Sequence, residues 1–595
     1  MEQKSQPDAQ VETAEQNLDR QMTTDTIALE HSYHTSLRTW TLIFILGLAW
    51  GTCTLANVGP GTTSSYVAKT FGGTTSSSWI PNAGLFPLIG LQPLWVSDLS
   101  LSLRTKDGLL IHFCRQGALS DRFGKKWFLV SGGVLGIAGN IIAGKASNIN
   151  QVIGGQAING VAASLLLLAI PTSMEVVPAK TRPYAQGFSA ILNGLAAIVG
   201  LVESGGFAQM STEGWRWVYY FNAIFFGLCA VLIAVAYRPP PTKLRRENSI
   251  SNELKSVDAI GTITLLLGVV GVVTALTWGG NIYSWSSARV IAMLVVGVCF
   301  LVGFGFYESF GRKDGLIDHR FLSSRNFPVI LAVAFVDGML LYGINAFFPV
   351  EAEAIFTSNL LKVNLYLLPL NVTVLLGCFG SAILLGRFHH YRLMLVVSLV
   401  IAGLFLGLLA LVTPSKVAMT CVFTGIIGIC VGVTTVVPVV VMSYSVPSYL
   451  LGTAETLLAS TRALGGVVGI TIFATVYGNA MKANLPTGVA EAAIGAGLPK
   501  SSITAFLGAL LSSIGSLTDV KGITPTIIDA ALVAIKDISA RSFRFVWIAN
   551  MAIAVAAGLL CVLLKPVKDE MTDHVESALE IGQLRKKQMH DSQHD

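Results

Sequence analysis

Uncharged apolar stretches of about 20 residues recur from Thr39 to Leu564, each long enough to cross the roughly 30 Å hydrocarbon core of a bilayer as a helix. Inside lipid a backbone has no water to bond to, so runs of this kind must close their own hydrogen bonds as helices. Charged residues make up 12% of the chain and apolar residues 52%, with a mean hydropathy of +0.64. A soluble domain carries roughly 25% charge, so a water-soluble globule is excluded. The formal charge of +6 is too small and too scattered to mark a nucleic-acid surface. Cys53, Cys229, Cys299, Cys378, Cys421, Cys430 and Cys561 lie in or beside apolar runs without a CxxC pair and read as small packing residues rather than metal ligands.

Counting the runs gives fourteen spans in an all-α polytopic membrane protein. Residues 1–37 are polar and acidic and read as a disordered cytoplasmic tail. Six spans fill residues 38–237, and a basic linker over 238–258 opens with Pro239, Pro240 and Pro241. Two spans follow in 259–308 and six more in 309–564, among them Pro328 to Pro349, Gly452 to Tyr477 and Phe543 to Leu564. Residues 478–542 are broken by Pro486, Gly495, Gly497, Pro499 and Pro525 and read as an extracellular loop with short amphipathic helices; 565–595 form a charged cytoplasmic tail. Most Lys and Arg then fall on the side of the N-terminus, which places both termini in the cytoplasm.

Between the second and third spans the chain reads Gly117-Ala-Leu-Ser-Asp121-Arg122-Phe-Gly124-Lys125-Lys126. Gly117 permits close helix contact, Asp121 accepts charge-assisted hydrogen bonds, Gly124 allows a tight turn, and the three cations hold the loop in the cytosol. This segment resembles the cytoplasmic signature G-x-L-x-D-R-x-G-R/K-K/R of the major facilitator superfamily. Glu175-Val-Val-Pro-Ala-Lys-Thr-Arg182 resembles the E-x-x-P-x-x-x-R element that latches the same face in those transporters. Gly214-Trp-Arg-Trp-Val-Tyr-Tyr-Phe-Asn222, Trp278-Gly-Gly with Trp285, and Arg462-Ala-Leu-Gly465-Gly466 are similar to elements of fourteen-spanner drug:proton antiporters. Within that group, Leu85 to Trp95 and Asp337 to Tyr342 look most like the fungal trichothecene efflux pump family, with siderophore-iron transporters as near relatives. Two features depart from the group: Gln156-Ala-Ile-Asn159-Gly160 stands where R-x-x-Q-G is usual, and Gly200-Leu-Val-Glu203-Ser-Gly205-Gly206 lacks the proline of G-P-x-x-G-G.

In the family the second span runs straight into the signature, so Trp95 would meet Gly117. Here residues 96–116 intervene and put Asp98, Arg104, Lys106, Asp107 and Arg115 where membrane helix is expected. One reading is a retained intron, since Val96 and Gln116 can be encoded by the GT and CAG boundaries an intron leaves. The other is a genuine cytoplasmic excursion.

Ionisable groups at mid-bilayer cost a few kcal/mol or more and so point to function or to a buried partner. Glu203 in the fifth span and Asp337 in the ninth are the candidates for proton coupling. Arg462 in the thirteenth reads as half of a structural ion pair, with Glu455 seven residues earlier on the same helix face. Asn57, Asn193 and Asn345 are candidates to line a central cavity, as are Asn222 and Asn371.

The resemblance implies a major facilitator fold: two six-helix bundles around a midplane cavity, with the seventh and eighth spans as two inserted helices. It implies a monomer in the cell membrane that needs no cofactor, with protons, a small organic solute and lipid as partners. Proton entry would drive export of an amphipathic toxin or secondary metabolite. Uptake of ferric siderophores, or a transport-inactive receptor, are the alternatives. A chain without a phosphate-binding loop or a catalytic constellation reads as neither an ATPase nor an enzyme.

Overall fold

The computed structural model describes residues 36–71, 79–92, 99–104, 110–115, 125–238, 259–279, 283–311, 325–357, 359–413, 416–446, 451–512 and 523–565. Gly117, Asp121, Arg122 and Gly124 of the signature lie outside these residues, as do nearly all of both tails and of the 238–258 linker.

The first bundle consists of α1 (Leu37–Thr70), α2 (Trp79–Leu91), α3 (Lys125–Gly144), α4 (Ile149–Glu175), α5 (Arg182–Met210) and α6 (Trp215–Ala236). Next come α7 (Ala259–Trp278) and α8 (Ala288–Phe306). The second bundle consists of α9 (Asn326–Ile355), α10 (Leu360–Phe388), α11 (Tyr391–Leu409), α12 (Val417–Ser445), α13 (Leu451–Gly495), the short α14 (Ile503–Ser512) and α15 (Pro525–Leu560). Among the described residues twelve helices are long and apolar enough to cross a membrane, accompanied by two shorter apolar helices in α2 and α7. With 13 residues α2 reaches only about 20 Å, short of a full crossing.

The two bundles repeat one packing scheme. In the first, α1 packs on α5, α3 on α4 and α6, and α2 on α4; in the second, α9 packs on α13, α11 on α12 and α15, and α10 on α12. The bundles meet along α5 with α10 and α2 with α13, and α7 leans on that second seam. The outer faces present residues such as Ile224, Val231, Val235, Leu393 and Val422 to the surroundings, as a lipid-facing surface requires.

Close approach explains the glycines of α9 and α13. A Cβ at Gly465 would collide with the Phe335 carbonyl, and one at Gly338 with the Arg462 carbonyl. Helices in lipid gain attraction mainly from such tight contact. Gly465→Ala is therefore expected to push α13 off α9 and to lower stability by about 1–3 kcal/mol, read as earlier thermal unfolding in detergent. An unchanged midpoint would contradict this close packing.

Three sequence expectations change. The all-α class acquires an antiparallel hairpin, β1 (Leu99–Arg104) with β2 (Leu110–Arg115), inside the 96–116 segment, with Leu99 opposite Arg115 and Arg104 opposite Leu110. The span beginning at Pro328 does not end at Pro349: α9 accommodates that proline and runs on to Ile355. The largest change concerns 478–542. Here α13 continues for 45 residues, with Pro486 inside it, and α15 starts at Pro525. Met481, Leu485, Val489 and Ala493 recur every four residues and form one stripe of α13. It meets Ile527, Ala531, Ile535 and Ile538 of α15, with Phe506 of α14 closing the cluster. Burial of that paired stripe outweighs the breakers.

Candidate functional site

A cavity of about 280 Å³ lies between the bundles. Its walls come from α1, α2, α4 and α5 on one side and α9, α10, α12 and α13 on the other. Trp50, Leu85, Leu88, Phe347 and Ile470 make it largely apolar. Asn57, Asn193 and Asn345 all line it, together with Asn371.

Local bonds orient these carboxamides. Asn57 Nδ2 donates to Cys53 O at 2.9 Å and Asn345 Nδ2 to Leu341 O at 2.7 Å. A carbonyl can only accept, so each NH2 group is turned back on its own helix and its oxygen is left to face other partners. Asn345 Oδ1 accepts from Asn371 Nδ2 at 3.3 Å, and Asn193 Oδ1 accepts from the Thr54 hydroxyl. An apolar chamber with a few fixed polar groups suits an amphipathic molecule of modest size.

One charged side chain lines this cavity among the described residues, Arg462. Its Nε forms an ion pair with Asp337 Oδ2 at 2.6 Å, and its Nη2 donates to Thr435 Oγ1 at 2.8 Å. The Thr434 hydroxyl donates to the other oxygen of Asp337, which is 1% exposed. The expected partner Glu455 is thereby corrected. Although Glu455 lies on the same helix, α9 is so close to α13 at Gly338 and Gly465 that Asp337 is brought directly against the guanidinium.

Glu203 is also buried, between α1, α5 and α6, where a Cβ on Gly59 would lie 3.0 Å from its Oε1. Neither of its oxygens has a hydrogen-bond partner among the described residues. Neither carboxylate lines the cavity, and the two coupling candidates occupy different places: Asp337 is paired with the cavity-lining Arg462, whereas Glu203 lies within the first bundle.

At the end of the molecule that bears the signature, Lys125 Nζ contacts Glu175 at 2.5 Å. Arg182 Nη1 donates to Ser443 O at 3.1 Å and so ties α5 to α12 of the other bundle. Lys126 lies over the Trp127 ring at 5.9 Å. At the opposite end Asn364 Nδ2 donates to Leu201 O at 2.9 Å and to Ser204 Oγ at 3.0 Å, while Lys69 meets Glu353 at 3.1 Å. The bundles are thus joined beyond both ends of the chamber. The Gly214-Trp-Arg-Trp motif serves the fold, since Arg216 Nη1 donates to Gly144 O and Ala146 O, each at 2.8 Å, and fixes the turn between α3 and α4.

Sequence reasoning missed Thr434, Thr435 and Ser443, whose hydroxyls and carbonyl carry no mark in an apolar run. It also missed Glu351, buried in the last turns of α9 and accepting from Trp547 Nε1 at 3.1 Å. Here a signal existed, a carboxylate two residues past Pro349, but the proline reads as the end of the span.

The sequence profile of the fungal trichothecene efflux pump (TRI12) matches residues 74–595. The chain belongs to that family. This TRI12-family protein is a major facilitator transporter and not an enzyme. It is 25% identical over 516 residues to the trichothecene efflux pump TRI12 of Fusarium sporotrichioides, covering 85% of each chain. A transporter of the acurin A biosynthesis cluster from Aspergillus aculeatus is 26% identical, covering 79% of this chain and 82% of that one. Multidrug resistance protein 3 of Bacillus subtilis is 27% identical, covering 61% and 69%. Among solved structures, a bacterial homolog of the human lysosomal transporter Spinster, inward-facing and occupied, superposes with a TM-score of 0.51 at 14% identity. That match covers 89% of this chain and 97% of the other, and establishes that the TRI12-family chain has the same fold.

Proposed function

We propose that this protein exports a toxic or secondary metabolite of amphipathic character in exchange for protons, crossing the cell membrane fourteen times with the signature end and both termini in the cytoplasm. The observation that carries the reading is the buried Asp337 paired with Arg462, which lines a chamber shared by the two bundles. A carboxylate there is a place for the coupling proton. Protonating Asp337 removes the countercharge of Arg462, whose guanidinium cannot discharge itself. The packing of α9 on α13 then loses its electrostatic tie. Because Ser460 of α13 donates to Leu88 O of α2 at 3.2 Å, a shift of α13 is felt across the bundle seam and beside the chamber. Alternating access then follows as rocking of one bundle on the other, with the ties at the two ends exchanging.

Lys125, Glu175 and Arg182 act in this account as the cytoplasmic latch, together with Lys126 and with Gly117, Asp121, Arg122 and Gly124 of the signature. Asn57, Asn193 and Asn345 orient the solute, while Gly465 and Gly466 permit the helix contact. Glu203 is a second candidate for coupling. The names of the relatives, a trichothecene efflux pump and a multidrug resistance protein, support export.

A strain lacking the gene, grown on a panel of toxins and under iron limitation, tests the direction. Sensitivity to at least one toxin with normal growth on scarce iron is the expected outcome. Normal toxin tolerance with poor growth on scarce iron would favour siderophore uptake instead.

A further inference from the structure

A second, smaller pocket of about 50 Å³ adjoins the chamber on its signature side, sharing Trp50, Leu88, Leu167, Tyr342, Thr435 and Arg462 with it. Among the described residues three charged side chains line it: Asp337, Arg462 and Glu455. Glu455 is 2% exposed, and neither carboxylate oxygen has a hydrogen-bond partner among the described residues. A buried carboxylate without a partner is costly and calls for an explanation. Arg462, the partner expected for it from the sequence, is paired with Asp337 instead.

We infer that Glu455 is a second proton-carrying residue of the coupling site, receiving the proton from Asp337 through this pocket and passing it toward the signature end. The inference rests on the reading of Asp337 as the coupling carboxylate. Position favours it. Arg462 borders the chamber and Asp337 is paired with it, whereas Glu455 is the fifth residue of α13, about 10 Å nearer the signature end than Arg462 along the helix axis. Space favours it too, since a water needs roughly 10–15 Å³ measured in the same way and several polar partners. The pocket exceeds that and offers both carboxylates and the Thr434 and Thr435 hydroxyls.

The step balances simply. The O–H bond of the Asp337 carboxyl breaks, a water in the pocket relays the proton, and an O–H bond forms on Glu455; no electron changes hands. Asp337 regains its charge and its tie to Arg462 as Glu455 becomes neutral. Arg182 of α5 acts on Glu455, while Asp337 of α9 and Arg462 of α13 line the same pocket. Tyr444 of α12 lies within the influence of Arg182, and Asp337 is also faced by Tyr342 and Cys378. Arg182 belongs to the first bundle and Glu455 to the second, so the charge on Glu455 also bears on how the two ends meet.

Infrared difference titration of the full chain in lipid bilayers, which reports each buried carboxyl through its C=O stretch, tests this with wild type, E455Q and D337N. E455Q is expected to remove one titrating component and to move the midpoint of the component that D337N removes by about one pH unit, as coupled sites do. Loss of no component in E455Q, or an Asp337 midpoint that E455Q leaves in place, overturns the proposal. If E455Q does not fold, D337N reads the same coupling in reverse: the remaining component must move, and a fixed midpoint overturns the idea. Glu455→Asp keeps the carboxyl and must restore the component lost in E455Q. Failure of the parent reading looks different, because D337N would then remove no component at all.

Discussion

Asp337→Ala is expected to abolish transport and to destabilise the folded protein more than Arg462→Ala does. Each change breaks a buried ion pair, for which removal of one partner costs about 3–5 kcal/mol because a charge is left behind. The two halves are not equivalent. After Arg462→Ala the stranded Asp337 can take up a proton and become neutral, and Thr434 still bonds to it. After Asp337→Ala the guanidinium remains charged in an apolar wall, with Thr435 as its one remaining partner from this pair of contacts. Replacing both with apolar residues of similar size should recover much of the stability and none of the transport, since a buried pair exchanged for packed apolar groups is often neutral or favourable. Thermal unfolding in detergent gives the order of stability, and toxin tolerance of complemented cells gives the activity. If Arg462→Ala proved the more damaging of the two, the pair would be serving the fold through Arg462 contacts rather than acting as a site for a proton.

Excising residues 96–116 is the second change of large expected effect, and here it is a gain. Joining Trp95 to Gly117 lets α2 continue from its present 13 residues to about 20, enough to cross the hydrocarbon core. It also removes Asp98, Arg104, Lys106, Asp107 and Arg115 from a position between two membrane helices. The hairpin within the segment offers little in return, because an isolated two-stranded hairpin is marginal at best. The shortened chain should accumulate in the membrane several-fold better than the long one and carry the transport activity. Transcript sequencing should find the junction joined. Abundant mature message containing the segment, with the long chain the more active form, would establish it as a genuine part of the protein.

What the sequence disclosed and what it hid divide along physical lines. Membrane helices announce themselves because lipid demands about 20 apolar residues at a time, and Gly465 and Gly466 are small residues of the kind that allow close helix packing. Which helix they pack on is not written locally. Arg462 has a carboxylate on its own face at Glu455, yet its partner is Asp337, far away in the chain, because the contact of α9 with α13 decides which charge comes within reach. Similarly Asn57, Asn193 and Asn345 were identifiable as polar residues in apolar helices, whereas their convergence on one chamber depends on the packing of both bundles. The continuation of α13 past Tyr477 was hidden because Pro and Gly weigh against a helix, whereas a four-residue apolar period runs through Met481, Leu485, Val489 and Ala493.

Flux in liposomes addresses the central claim most directly. Purified full-length protein is reconstituted, an acid interior is imposed, and entry of a radiolabelled toxin to which the deletion strain is sensitive is followed with and without an agent that dissipates the gradient. Proton-coupled exchange predicts accumulation in the acid lumen that collapses when the gradient is removed and is absent in D337N. Equal entry with and without the gradient, or full accumulation by D337N, would contradict it.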